Sequence, residues 1–135
     1  MIRQTEINLP PFSRGCHLIT NHIEKHLSSL PQCGLLHIFL KHTSAGLTLN
    51  ENADPTVRFD LENIMNRVVP ESWQYEHDDE GSDDMPAHVK SSFLGVSLMI
   101  PISAGRLNLG TWQGVYLCEF RNRGGSRKLT LTVYS

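Results

Sequence analysis

The chain has 135 residues, 39% hydrophobic and 19% charged, with 12 Lys and Arg against 14 Asp and Glu for a formal charge of −2. That length suits one compact domain over residues 1–135 whose core needs no disulfide or metal staple, and it excludes a (β/α)8 barrel of roughly 200 residues or more. Scattered basic residues give no nucleic-acid footprint, and no apolar run approaches the ~18 residues of a membrane span.

In chain order, Ile2–Leu9 alternates loosely up to Pro10-Pro11 and predicts an opening strand. Ile19, Ile23, Leu27 and Leu30 recur at helical spacing, with Thr20 or Asn21 as N-cap and Pro31 just past the end. Gly34–His42 is a short apolar run that predicts a buried strand. Asp54-Pro55 offers an N-cap followed by proline at the first helical position, and Val57, Leu61, Ile64, Met65 and Val68 continue a helix to Pro70. Ser72–Asp84 has loop chemistry, and Pro86–Phe93 predicts a short helix capped by Asp83 or Asp84. Gly95–Pro101 and Arg106–Leu109 read as strands around Ser103-Ala104-Gly105. Gly114–Arg121 and Lys128–Tyr134 read as a closing hairpin around Gly124-Gly125. The sum is an α+β domain with two main helices and a largely antiparallel sheet.

Charge is unevenly placed. Glu76–Asp84 (EHDDEGSDD) holds six of the 14 acids and no Lys or Arg, leaving 12 basic against 8 acidic residues elsewhere. An EF-hand fails here: with Gly81 as the loop glycine, Ala87 falls where the bidentate Glu belongs. His77 and His88 flank the run, and imidazole with carboxylate suits zinc or a transition metal; a solvated acidic loop is the alternative. Cys16, Cys33 and Cys118 are odd in number and far apart, with no C-x-x-C pair. They read as reduced thiols, and with no apolar signal segment after Met1 they point to a cytoplasmic protein.

Two further clusters carry polar chemistry. His42–Pro55 (HTSAGLTLNENADP) leaves a strand, turns at Gly46 and places Asn50, Glu51, Asn52 and Asp54 before a helix. Its hydroxyls and free N–H groups suit a phosphate and its carboxylates a divalent cation, while a simple turn and cap needs only Asp54. Gly110–Gly114 (GTWQG) precedes YLCEFR, where Glu119 and Arg121 are two apart on one strand face. They form either an ion pair or the wall of a polar site, and Trp112 either packs or walls a cavity.

These three segments, HTSAGLTLNENADP, EGSDDMPAHVK (Glu80–Lys90) and GTWQGVYLCEFR (Gly110–Arg121), closely resemble the YjbQ-like family, often labelled secondary thiamine-phosphate synthase. Their order and spacing match too, over nearly the whole chain. The resemblance implies a mixed, strongly bent sheet, a homotrimer, and a polar site that takes metal ions or sulfate-like anions. It implies weak thiamine-phosphate synthase activity in some members, joining a pyrimidine-methyl diphosphate to a thiazole phosphate with loss of pyrophosphate. On this reading a divalent ion (Zn or Mg) is held by His77, His88, Asp84 and Glu119. Thr43, Ser44, Asn50, Asn52, Lys90 and Trp112 bind a phosphorylated substrate, and His42, His88 and Arg121 are catalytic. The alternative is a non-catalytic module for a metal or small anion. Neither reading involves nucleic acid or a membrane.

Overall fold

The computed structural model describes residues 1–135. The chain forms eight strands and three helices: β1 (Ile2–Asn8), β2 (Gly15–Leu18), α1 (Thr20–Glu24), β3 (Cys33–Leu40), β4 (Ala45–Glu51), α2 (Pro55–Val68), α3 (Asp84–Leu94), β5 (Ser97–Ser103), β6 (Arg106–Leu107), β7 (Gln113–Glu119) and β8 (Lys128–Tyr134). One sheet has the order β1-β8-β3-β5-β6 and the other β2-β7-β4. The antiparallel character extends further than the sequence suggested, because every pairing is antiparallel. No helix is long and apolar enough to cross a membrane.

The layering follows from strand alternation. Leu36, Ile38 and Leu40 on β3 join Ile100 and Ile102 on β5 and Leu129, Leu131 and Val133 on β8 in one buried cluster. Ala45 and Leu47 of β4, with Val115 and Leu117 of β7, face the same cluster from the second sheet. The other face of β7 is buried as well: Tyr116 and Cys118 pack with Ala87 of α3 and Phe120, and Leu61 of α2 leans on them. The chain therefore stacks a five-stranded sheet, a three-stranded sheet and a helical layer. A strand buried on both faces has a near-continuous apolar sequence, which is why GVYLC shows no polar alternation.

Three expectations about elements are corrected. The helix over 19–30 is one turn and a half, Thr20–Glu24; the Thr20 hydroxyl accepts from the Val115 N–H at 2.9 Å instead of capping it. The segment after Gly46 is a strand, since Ala45, Leu47 and Leu49 alternate with Thr48 and Asn50 against β7. Residues 114–121 and 128–134 are not a hairpin: β7 pairs with β2 and β4, and β8 with β1 and β3. The eight residues 120–127 cross between layers, because Phe120 and Arg127 are buried on the way, whereas hairpin loops usually have two to five residues. Asp54 does cap α2, accepting from the Thr56 N–H at 2.9 Å with Pro55 at the first helical position.

Candidate metal centre

The start of α3 gathers the site. Asp84 opens the helix and His88 lies four residues on, so both sit on one helical face. His77 comes from the preceding loop, which turns back through Gly81 at φ 108°, a conformation that suits glycine. His77 Nε2 lies 2.6 Å and His88 Nε2 3.3 Å from the same Asp84 Oδ2. The three ligand atoms fall within 4.8 Å of one another. Asp84 is 1% exposed and the imidazoles more open, so the trio forms a patch with a buried floor.

The surroundings orient Asp84 and His88. His88 Nδ1 is 2.8 Å from the Thr43 carbonyl; a carbonyl only accepts, so Nδ1 donates to it, which orients the ring with Nε2 toward the trio. Arg121 donates from Nη1 to Asp84 Oδ1 at 2.6 Å, from Nε to Asp83 Oδ2 at 2.9 Å and from Nη2 to the Glu80 carbonyl at 2.9 Å. Asp83, the α3 N-cap residue, makes no side-chain cap; its carboxylate instead takes Arg121 and the Asn122 N–H at 2.9 Å. Burial pushes the Asp84 carboxyl up, but the His77 hydrogen bond and the charges of His88 and Arg121 outweigh it and hold it below its ordinary range. The Asp84 hydrogen bond raises His77 against a smaller opposing effect of burial.

Glu119 is not in this group, which corrects its assignment as a metal ligand. It is fully buried and binds Arg127 through two bonds, Nε to Oε1 at 2.7 Å and Nη2 to Oε2 at 2.5 Å. Arg127 Nη2 also reaches Ser44 Oγ at 3.0 Å, and Glu119 Oε2 accepts from the Arg121 N–H at 3.1 Å. Glu119 thus anchors the chain that delivers Arg121. A β-carbon at Gly124 would fall inside contact distance of the Glu119 carboxylate, so the crossing segment closes over the pair only with glycine there.

The expected phosphate binders are placed elsewhere or already engaged. Lys90 is fully buried, donating to Asn66 Oδ1 at 2.7 Å; burial, with the Arg14 charge nearby, lowers its pKa. Arg121 spends donors from all three nitrogens on Asp83, Asp84 and Glu80, and the Ser44 hydroxyl serves Arg127. His42 Nε2 accepts from the Lys128 N–H at 2.8 Å, so that nitrogen is not free to take a substrate proton. Burial, then the Arg127 charge, lowers the His42 pKa.

Asn50, Asn52 and Trp112 stand at the opposite end of the three-stranded sheet. Ala45 pairs with Glu119 and Glu51 with Gln113; six steps of ~3.4 Å put those ends about 20 Å apart. Asn52 donates to the Thr111 and Gln113 carbonyls at 3.1 Å each, and Trp112 is exposed. Of the predicted site residues, His77, Asp84, His88, Arg121 and the Thr43 backbone come together. Arg127 and Asp83, whose roles sequence reasoning missed, support them. A cavity of about 490 Å³ adjoins His77, walled by Trp73, Tyr75, Met85, Glu76 and Asp78 among others.

A profile of the family described as "UPF0047 protein YjbQ-like" matches residues 5–135. The chain belongs to the YjbQ/UPF0047 family. It is 57% identical over 132 residues to the UPF0047 protein YjbQ of Salmonella typhimurium, covering 96% of each chain. It is 53% identical, with the same coverage, to the Escherichia coli UPF0047 protein YjbQ. Among solved structures, an uncharacterized YjbQ/UPF0047 family protein from Clostridium acetobutylicum superposes with a TM-score of 0.84 at 35% identity, over 96% of this chain and 99% of that one. A conserved hypothetical protein from Thermus thermophilus gives 0.81 at 35% identity, over 95% and 97%.

Proposed function

We propose that the chain binds one divalent cation through His77, Asp84 and His88 and uses it to hold a phosphorylated small molecule. The observation that carries this reading is the convergence of two imidazole nitrogens and one carboxylate oxygen within 4.8 Å, with His88 oriented by the Thr43 carbonyl and Asp84 by Arg121. Three protein ligands of this kind suit zinc with a coordination position left for substrate, whereas magnesium prefers oxygen donors. A bound cation would supply charge neutralisation for a phosphate or diphosphate group.

The residues of the chain divide the remaining work. Asp84 and the two histidines present donors on one side of α3, and Arg121 holds the carboxylate at a fixed angle. The cavity beside His77 carries Glu71, Glu76 and Asp78 and no Lys or Arg. An anion is therefore repelled unless the cation is present, and the body of the ligand lies against Trp73 and Met85. Thiamine-phosphate synthesis fits this division, with pyrophosphate as the group to be neutralised. Binding without catalysis is the alternative. The Asn50–Asn52–Trp112 surface joins the same site if a homotrimer sets it against the next copy. Leu35, Phe39, Met99 and Tyr134, all partly exposed on the outer face of the larger sheet, support such an assembly.

Rescue of a thiamine auxotroph tests the catalytic part. The parent chain restores growth and His88→Ala and Arg121→Ala do not; equal rescue by both variants rejects catalysis at this site. Sedimentation equilibrium tests the assembly, with a mass of three chains expected and a monomer contradicting it.

A further inference from the structure

Cys16 and Cys118 lie far from the candidate metal ligands in sequence yet face each other across β2 and β7, in direct register. Directly opposed residues of an antiparallel pair have Cα atoms about 4.5–5.5 Å apart, within the roughly 4.4–6.8 Å window of a disulfide. Here the sulfurs have already turned toward one another: the Cys118 thiol donates to Cys16 Sγ at 2.9 Å, and both thiols are free. Cys16 is partly exposed on the short strand β2, while Cys118 is buried between the sheet and the helices. Cys33 opens β3 in the other sheet and is exposed and unpaired with either.

We propose that Cys16 and Cys118 form an oxidisable dithiol that closes to a cross-strand disulfide when a low-molecular-weight disulfide such as oxidised glutathione acts as oxidant. The accessible Cys16 thiolate attacks one sulfur of glutathione disulfide, forming the mixed disulfide and releasing one glutathione thiolate. Cys118 then gives up its proton to solvent and attacks the Cys16 sulfur. The second glutathione leaves as thiolate, and both thiolates take up protons. Two electrons pass from the protein dithiol to one glutathione disulfide, so the exchange balances without a further reagent. The Cys16 hydrogen bond, with burial, raises the Cys118 pKa; Cys118 is therefore the resolving and not the attacking thiol.

The product would fasten edge strand β2 to β7. Arg14, just before β2, bonds Glu62 and Asn66 of α2 and Asn122, while β7 ends at Glu119 before Arg121. The staple thus joins the two segments that flank the metal-centre support, and its two ends are 102 residues apart in sequence. Closing so long a loop restricts the unfolded chain strongly.

The test incubates the intact folded protein with oxidised glutathione, blocks remaining thiols by alkylation and maps peptides without reduction. The expected result is a linked pair of peptides carrying Cys16 and Cys118, two hydrogens lighter than the two free peptides, with exposed Cys33, which has no partner thiol, found alkylated or as a glutathione adduct. The oxidised protein also melts higher than the reduced one, and dithiothreitol reverses both changes. In Cys118→Ser the reaction stops at the glutathione adduct on Cys16. Three alkylated cysteines after incubation, a persistent adduct on Cys16 in the parent, or a linkage through Cys33 would each overturn the proposal.

Discussion

Replacing Arg127 by Met removes the cation from a fully buried carboxylate while keeping an apolar stem of similar length. Glu119 has no exposure, and both its oxygens are bound to Arg127, one also to the Arg121 N–H. Deleting one partner of such a pair leaves an uncompensated buried charge and costs about 3–5 kcal/mol. An unfolding entropy of about 2.1 cal/mol/K per residue over 135 residues gives about 0.28 kcal/mol/K. Arg127→Met should therefore lower Tm by about 11–18 °C by scanning calorimetry. The double variant Glu119→Gln, Arg127→Met removes the stranded charge and should regain much of that loss. A fall of less than about 4 °C in the single variant, roughly 1 kcal/mol on this scale, would refute the reading of Glu119 as a closed ion-pair partner.

Gly124→Ala presses a methyl group onto the Glu119 carboxylate, which Arg127 prevents from moving aside; it should destabilise by about 1–3 kcal/mol, the range for overpacking, and an unchanged denaturant midpoint would contradict this. His77 should titrate above the ordinary ~6.5 in the metal-free protein, by NMR of its ring protons, and return toward ~6.5 in Asp84→Asn. Because its folded pKa is raised, the stability it contributes is full below ~6.5 and is lost as pH rises through the folded value; a His77 value at or below 6.5 in the parent removes the argument. Arg121→Met leaves all three candidate ligands in place but frees Asp84, so zinc affinity should fall by about 10–100-fold, as for other loosened metal ligands. Unchanged affinity by competition with a chelating dye would show that Arg121 does not orient the site.

Much of the architecture was legible because it rests on local signals. Asp54-Pro55 announced α2, and the apolar run at Gly34–His42 announced β3, a strand that ends at Leu40 and is paired on both sides. Layering was not legible. Gly114–Arg121 and Lys128–Tyr134 look like hairpin partners, and only the burial of Phe120 and Arg127 shows why the chain crosses between sheets instead. Within the site, the sequence starts the helix at Pro86 and leaves Asp84 as a candidate cap, so only the structure, where α3 opens at Asp84, puts Asp84 and His88 one turn apart on the same face. Glu119 could not be separated from the candidate ligands, because its partner Arg127 lies beyond a loop and sequence gives no distance between them. The same limit hid Asp83, which reads as a helix cap and in fact grips Arg121.

The most direct measurement of the central claim is zinc stoichiometry and affinity, by isothermal titration calorimetry on chelator-stripped protein. One zinc per chain is expected for the parent, with a loss of that binding in both His88→Ala and Asp84→Asn and circular dichroism showing each variant folded. Phosphate should then bind the zinc-loaded parent and not the metal-free one. Undiminished zinc binding by a folded His88→Ala variant would contradict the assignment of His77, Asp84 and His88 as the metal centre.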